Sequence, residues 1–184
     1  VASGEIAVTA TTIAVADLTN SVGDLELLLD VIADFRSNLI QGTISEIETG
    51  TNSLLTKHFD AEIRVEFEVQ DADKLEVTIT KDGNTCVYTQ LSKGQRCLLK
   101  LCFGVSVMKC VANRHGAKIH QVFFDEALDG LDETMKVKAY GLLQGLEDDY
   151  ESVFVVEHSG ELKSLFTNQY AVRLEHGGSQ IEKS

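Results

Sequence analysis

The spacing of the apolar residues changes once along the chain, and this change most constrains the fold. Over residues 24–41 apolar side chains recur at steps of three and four, which is the a/d seam of a coiled-coil helix. Over residues 62–69 apolar and charged residues alternate with a period of two, which is typical of a half-exposed antiparallel strand. The sequence therefore predicts a helical segment at 1–60 and a separate domain at 61–184. The seam residues are Leu25, Leu28, Ile32, Phe35 and Leu39.

Two interpretations of the helical segment remain open on spacing alone. The segment is either an ordinary pair of amphipathic helices packed on a core or the root of a longer coiled coil. Helical spacing continues through Ile40, Ile44 and Ile47, and residues 1–23 are a candidate linker.

The second domain is predicted to belong to the α/β class, with an antiparallel meander followed by β/α units. The meander covers residues 61–89 and contains a tight turn at Asp82-Gly83. A long apolar helix follows it. Two near-continuous apolar strands of the buried parallel type, "KIHQVFF" and "SVFVVEH", then flank a helix at 132–148. A short helix and a terminal hairpin complete the prediction.

The net charge of −13 argues against a general polyanion-binding surface, but the charge is unevenly distributed. Residues 83–124 contain no acidic residue and six basic ones. Four of these cations are candidates to contact DNA phosphates, or they only solvate one helix face and the loop after it. They are Lys100, Lys109, Arg114 and Lys118.

The four cysteines form no Cys-x-x-Cys pair, and three of them lie in the long apolar helix. We therefore expect buried reduced thiols, which fit a cytosolic protein. No apolar run in the sequence approaches the roughly 18 residues that a membrane span needs. The expected location is cytoplasmic or nucleoid-associated, without a membrane partner.

Polar side chains follow both predicted parallel strands at the point where each strand ends. Asp125 and Glu126 follow the first strand, and His158 follows the second. Because ligands of open α/β sheets bind beyond the carboxyl ends of the strands, we expect these side chains to converge on one site. There an aspartate can hold Mg²⁺ and a glutamate can orient or deprotonate a water. The alternative is that the acids cap the next helix, and Asp132 occupies the N-cap position.

The stretch "LSKGQ", residues 91–95, lies where the meander meets the long helix. A serine and a glycine at a helix start present a hydroxyl and free N–H groups to an anion, and the helix dipole favours negative charge there. Alone such a start is weak evidence, because most are only helix caps.

Four motifs in a fixed order carry a resemblance to a known family. "LSKGQ", "VFFDE", "ALDGLD" and "VVEHS" resemble the signature motif, Walker B, D-loop and His switch of ATP-binding cassette ATPases. Their arrangement resembles the C-terminal ATPase lobe of SMC-like proteins, and most of all the SbcC-type subunit of the double-strand-break repair nuclease. The resemblance covers residues 61–184, with the helical segment as the coiled-coil root.

This resemblance implies ATP and Mg²⁺ as cofactors at a composite site in a head-to-tail homodimer. The implied partners are the N-terminal Walker A lobe of the same protein, an SbcD-type nuclease subunit and double-stranded DNA. Ser92 and Gly94 would contact the γ-phosphate of a nucleotide held mainly by the partner. The implied nucleotide contacts are Leu91, Ser92, Lys93, Gly94 and Gln95.

The acids and the histidine acquire roles by the same resemblance. Asp125 would support Mg²⁺, Glu126 would polarise the attacking water, and His158 would sense the γ-phosphate. Asp129 would cross to the opposite active site. The implied D-loop residues are Leu128, Asp129 and Asp132.

The sequence departs from the family pattern at three points. Ala127 stands where many members have proline, and Lys93 replaces a frequent glycine. No Gly-x-x-x-x-Gly-Lys-Ser/Thr run is present, so we expect this chain alone to bind ATP poorly and not to hydrolyse it. The alternatives are a stand-alone binding lobe without ATP turnover, or a RecF-, RecN- or SMC-type chromosome ATPase without a nuclease.

Overall fold

The computed structural model describes residues 2–59, 62–70, 74–116, 118–158, 160–175 and 177–183. The chain forms two compact units, Val1–Ile44 and Ser45–Ser184. The division falls inside the first helix, whereas the sequence placed it between residues 60 and 61. The end of that helix groups with the second unit because its side chains enter the core there.

The first helix, α1 (Ala2–Phe59), is one continuous element of 58 residues. The chain contains no proline, so no residue of that type interrupts the helical hydrogen bonds. The interpretation as a helix pair is therefore wrong, and the candidate linker is helical from Ala2 onward. In the first unit Leu25, Ile32 and Phe35 are 60%, 53% and 64% exposed. A continuous helix with an exposed apolar seam agrees with a coiled-coil root.

The last turns of α1 belong to the core of the second unit. Thr51, Leu55 and Phe59 lie about one turn apart, and their exposed fractions are 0%, 0% and 2%. Gly50 allows α1 to approach the next helix closely, because a Cβ atom there would lie 3.0 Å from the Ser106 hydroxyl oxygen.

A polar side chain of α1 also completes the free edge of the meander. β1 (Ile63–Gln70) pairs antiparallel with β2 (Lys74–Lys81), which pairs with β3 (Asn84–Cys86). On the other edge of β1, the Asn52 amide oxygen accepts the Val65 N–H at 2.9 Å, and its NH₂ donates to the Val65 carbonyl oxygen at 2.8 Å. An edge strand otherwise leaves such groups unpaired, so Asn52 ties the helix to the sheet.

The predicted meander is confirmed in its turn and in its alternation. Asp82 and Gly83 have φ values of 52° and 78°, as a two-residue hairpin turn of type I′ requires. Along β1, Ile63 and Val65 are buried, whereas Arg64 between them is exposed.

The long apolar helix, α2 (Lys93–His115), follows a 3₁₀ turn at Tyr88–Gln90. Its buried face includes Leu98, Cys102 and Val105, which are 5%, 0% and 1% exposed. These side chains join the same core cluster as the end of α1 and the strands of the meander.

The next two strands pair in parallel, as predicted. β4 (Gln121–Asp125) and β5 (Ser152–Val156) are connected through α3 (Glu133–Gln144). The predicted burial of both strand faces is wrong, because Phe123 and Phe154 are 67% and 41% exposed. Their rings stack on the open face with centroids 4.7 Å apart.

The remaining elements are short. A 3₁₀ turn (Gly160–Leu165) stands where the sequence predicts a short helix, and β6 (Tyr170–Glu175) and β7 (Gly178–Lys183) form the predicted hairpin. Across the described residues, no helix has both the length and the apolar character that crossing a bilayer requires.

We expect Leu55→Ala to lower the free energy of unfolding by about 2–5 kcal/mol, because it leaves a cavity in the core. Leu27→Ala is the matched control; Leu27 is 65% exposed, and its loss should change stability by less than about 0.5 kcal/mol. Urea unfolding followed by tyrosine fluorescence measures both, since all four tyrosines lie after residue 44. Equal effects would contradict the assignment of the last turns of α1 to the core.

Candidate functional site

The carboxyl ends of β4 and β5 bring two predicted site residues into contact. Asp125 pairs with Val156 across the parallel register, and the Glu126 N–H donates to the Val156 carbonyl oxygen at 3.1 Å. Just beyond, Glu126 Oε1 and His158 Nε2 lie 2.9 Å apart. The structure thus brings Glu126 and His158 together. Asp125 ends its strand with an exposed side chain.

The contact between Glu126 and His158 is open to solvent. The two side chains are 58% and 78% exposed. Pairs at this exposure contribute about 0–1 kcal/mol, and an Nε2–H group of the imidazole can donate to the Glu126 carboxylate whether or not the ring is charged. The contact therefore orients the two side chains more than it stabilises the fold, and both stay within reach of a ligand.

Glu126 occupies a left-handed backbone conformation with φ of 49°. For a residue with a Cβ atom this conformation costs roughly 1–2 kcal/mol. The hydrogen bond from its N–H to Val156 holds the backbone at the point where β4 ends. Strain of this kind collects at functional sites, where the surrounding structure imposes it.

Residues 126–131, called here the 126–131 loop, form a tight segment anchored by two leucines. The Asp129 N–H donates to the Glu126 carbonyl oxygen at 3.1 Å, and the Leu131 N–H donates to that of Leu128 at 3.2 Å. Leu128 and Leu131 are 0% and 7% exposed, whereas the Asp129 side chain is 70% exposed. Leu128, predicted as a site residue, thus lies in the core, whereas Asp129 lies on the surface.

Asp132, the third predicted D-loop residue, is the N-cap of α3. Its Oδ1 accepts the Met135 N–H at 2.8 Å. The capping alternative is therefore confirmed for Asp132. It does not apply to Asp125, which is the last residue of β4.

The start of α2 is built on a capping box. Ser92 Oγ accepts the Gln95 N–H at 3.1 Å, and Gln95 Oε1 accepts the Ser92 N–H at 3.0 Å. Leu91, just before the cap, is 3% exposed. Within the described part of the chain the N–H groups of Lys93 and Gly94 have no acceptor, as helix geometry dictates for a first turn. These two groups are available to an anion.

The start of α2 packs directly against the 126–131 loop. Lys93 Nζ lies 3.4 Å from Asp129 Oδ2, although the two residues are 36 positions apart in sequence. The stem of Lys93 covers Gly130 so closely that a Cβ atom there would lie 2.7 Å from Lys93 Cε. A Cβ atom on Gly94 would lie 3.5 Å from the Gly130 carbonyl oxygen. The backbone of Gly130 has a φ of 97°, a conformation that favours glycine.

Cys97 is a neighbour of the site that the sequence analysis missed. Its half-buried Sγ donates to the Ala127 carbonyl oxygen at 3.2 Å. Burial, and then the charge of Asp129, raise the pKa of the Cys97 thiol. Cys97 lies one helical turn after Lys93 in sequence, and this spacing could have predicted that it is near the site. All four cysteines are free thiols, but the predicted burial holds only for Cys102 and Cys110, since Cys86 and Cys97 are half-buried. Burial raises the pKa of Cys102 to about 12.

Asp125 offers one carboxylate to the predicted Mg²⁺. Among the residues that the structure describes, no group of three or more His, Cys, Asp or Glu side chains could hold a metal ion. Mg²⁺ usually keeps several waters and binds one or two carboxylates together with substrate phosphates. The Asp125 carboxylate therefore fits Mg²⁺ whose remaining ligands are waters and substrate phosphates.

The four candidate DNA contacts differ in their surroundings. Lys109 lies 2.7 Å from a carboxylate oxygen of Asp149, and Arg114 lies 3.4 Å from one of Glu46. These two cations are thus engaged with acids of the same chain. The other two candidates are exposed, namely Lys100 and Lys118.

No family model and no curated protein matches this chain. Solved structures do match it. One was solved to explain the ATP-driven dimerization and DNA-stimulated activation of SMC ATPases, and it is 15% identical to this chain with a TM-score of 0.67. The match covers 80% of this chain and 88% of that chain. An Smc head bound to the C-winged helix domain of ScpA is 16% identical with a TM-score of 0.63, covering 80% and 45%. The Smc head domain with a coiled coil and joint from Pyrococcus yayanosii is 16% identical with a TM-score of 0.66, covering 83% and 29%.

The chain has the fold of an SMC head lobe. The predicted fold class is thereby confirmed, including the helix that leads into the lobe. The chain spans most of the first matching chain but less than half of the other two. At these identities the likeness shows the fold alone, and the narrower SbcC-type assignment stays a prediction.

We expect the Glu126→Gly variant to be more stable than Glu126→Ala by about 1 kcal/mol, because glycine adopts a positive φ without the cost of a Cβ atom. Both substitutions remove the same carboxylate, so their difference isolates the backbone. At Asp129, whose φ is not positive, the same two substitutions should show the opposite order. Urea unfolding measures all four variants. A more stable alanine variant at both positions would argue against backbone strain at Glu126.

Proposed function

We propose that this chain is the C-terminal lobe of an SMC-like ATPase and supplies the signature motif, Walker B, D-loop and His switch to a composite ATP site. The observation that carries the proposal is the packing of the α2 start against the 126–131 loop, next to the contact of Glu126 with His158. The signature motif, the adjacent Walker B and D-loop, and the His switch are three separate stretches of the sequence, and they share one edge of the parallel strands, where α/β sheets bind ligands. The likeness to SMC head structures supports the same function.

In this proposal the γ-phosphate meets the start of α2. The N–H groups of Lys93 and Gly94 would donate to phosphate oxygens, and the helix dipole favours the negative charge. Ser92 Oγ already accepts the Gln95 N–H, which leaves its own O–H proton to donate to a phosphate oxygen. Leu91 and Gln95 would hold this turn in place, the first by burial and the second through the capping box.

Glu126 is the proposed general base for ATP hydrolysis. Its carboxylate would orient and deprotonate the attacking water, and His158, 2.9 Å away, would donate to the γ-phosphate. Asp125 would hold Mg²⁺ together with the phosphates, and the ion would supply charge neutralisation to the transferred phosphoryl group. Since the side chains of Glu126 and His158 are more than half exposed, a bound nucleotide can approach both.

We further propose that the site is completed by the N-terminal Walker A lobe of the same protein and by a second copy in a head-to-tail dimer. A Walker A loop encloses phosphates with its N–H groups and its lysine. The matching structure that was solved to explain the ATP-driven dimerization of SMC ATPases supports this arrangement. Asp129 is the proposed residue that crosses to the opposite site, because its side chain is exposed at the tip of an anchored loop.

The biological setting has two candidates. The motif resemblance favours DNA repair with an SbcD-type nuclease on double-stranded DNA, with the exposed Lys100 and Lys118 as the strongest DNA contacts. The matching Smc heads, one of them bound to the C-winged helix domain of ScpA, favour a chromosome ATPase without a nuclease. Binding of the complete protein to a purified SbcD-type nuclease or to a ScpA-type winged-helix domain distinguishes the two.

In the complete two-lobe protein we expect Glu126→Gln to keep ATP binding and to slow hydrolysis by about 10²–10⁴-fold, because an amide fills the same space but cannot act as a base. Steady-state ATPase assays and nucleotide-binding measurements test this expectation. Turnover within a few-fold of the unmodified protein would remove Glu126 as the catalytic carboxylate. A complete protein without any ATP turnover would instead favour the stand-alone binding lobe.

We expect Ser92→Arg to block ATP-driven dimerisation, because a bulky side chain would occupy the place where the helix start meets the opposing nucleotide. Ser92→Ala is the matched control, since it also loses the N-cap, at about 1 kcal/mol, without adding bulk. Light scattering with and without ATP measures the dimers. Unchanged ATP-dependent dimers in Ser92→Arg would remove "LSKGQ" from the interface.

A further inference from the structure

We propose that Lys93 is a positioning residue that holds the 126–131 loop against α2 through Asp129 in the nucleotide-free lobe, and that nucleotide phosphate replaces Asp129 as the partner of its ammonium group. The ion pair with Asp129 belongs to the present chain alone, whereas its exchange with phosphate rests on the proposed ATP site.

Lys93 contacts the loop in two ways. Its aliphatic stem lies over Gly130, where an added Cβ atom would come within 2.7 Å of Cε and 3.0 Å of Cδ. Its ammonium nitrogen lies 3.4 Å from Asp129 Oδ2. The stem contact sets the position of the side chain, and the ion pair adds an attraction that depends on charge.

The exposure of this ion pair makes it exchangeable. Both side chains are 70% exposed, so water and salt screen their attraction. A buried pair would hold the loop permanently, because separating it would leave an uncompensated charge. Phosphate oxygens carry more negative charge than one carboxylate and form strong bonds with an ammonium group, so a bound nucleotide can displace Asp129.

The same residue belongs to the anion-binding turn. The N–H of Lys93 is one of the two groups at the start of α2 without an acceptor in the described residues. An anion at this turn therefore comes within reach of the Lys93 ammonium group. A glycine at this position, frequent in the motif, has no side chain that could link the turn to the loop. Release of Asp129 would then free it to cross toward the opposite site.

The thiol of Cys97 reports on the loop, because it donates to the Ala127 carbonyl oxygen at 3.2 Å. Without nucleotide, we expect Lys93→Met to speed labelling of Cys97 by N-ethylmaleimide about two- to five-fold, as loss of an exposed ion pair predicts. Methionine keeps an unbranched stem over Gly130 and removes only the charge. Lys93→Arg should restore the original rate. Peptide mass spectrometry measures labelling, with buried Cys102 as the internal control.

The direction of this change separates the loop contact from simple electrostatics. Burial and Asp129 raise the pKa of the Cys97 thiol, whereas the charge of Lys93 lowers it. Removing that charge without moving the loop would therefore reduce the reactive thiolate and slow labelling. Slower or unchanged labelling in Lys93→Met would overturn the proposal. The double variant Lys93→Met with Asp129→Asn should show Cys97 labelling no faster than Asp129→Asn alone, because Asp129→Asn already removes the ion pair.

The complete two-lobe protein tests the exchange with phosphate. We expect Lys93→Met to raise KM for ATP by a larger factor than it lowers kcat, and Lys93→Arg to reverse most of the increase, because the lost group binds phosphate in the ground state. An unchanged KM beside normal turnover of the unmodified protein would overturn the exchange alone. No turnover in the unmodified protein would overturn the proposed function and the exchange with it, and the Cys97 labelling would still decide the loop contact.

Discussion

The burial of α2 is the constraint on which the rest of the structure depends. Its buried face of Leu98, Cys102 and Val105 lies in the same core cluster as the end of α1, the strands of the meander and β4. A helix held by a buried face cannot rotate without exposing that face, so the direction of its first turn is set as well. The capping box and the two outward N–H groups at Lys93 and Gly94 follow from that direction.

The 126–131 loop shows how a surface loop can be both strained and ordered. Burial of Leu128 and Leu131 contributes about 1.5–3 kcal/mol each. That gain exceeds the roughly 1–2 kcal/mol that the left-handed conformation of Glu126 costs. The leucines therefore hold the backbone, and the polar residues between and beside them are displayed on the surface. Contacts with Lys93 and Cys97 on α2 add a second anchor for the loop.

Local chemistry explains which elements were predictable. Alternation placed β1, the Asp82-Gly83 pair placed the hairpin turn, and Ser92 and Asp132 placed two helix starts, since each depends on residues within a few positions of one another. The length of α1 was underestimated, because the apolar a/d seam is present only over part of it. No residue outside the seam stops the helix, so the helix continues there as well. The exposed face of Phe123 was missed because an apolar run indicates a strand and says nothing of what covers each face.

The sequence by itself determined the order of the elements, the helix caps and the residues at the strand ends, because these follow from local hydrogen bonding and from the period of the side chains. Only the tertiary structure decided that Glu126 contacts His158, that Lys93 contacts Asp129, and that Cys97 belongs beside the loop. Each of these contacts joins positions about 30 or more residues apart. The distance from Glu126 to His158 is set by the parallel pairing of β4 with β5. The other two distances are set by how α2 packs against the 126–131 loop, and no spacing along the chain encodes that packing.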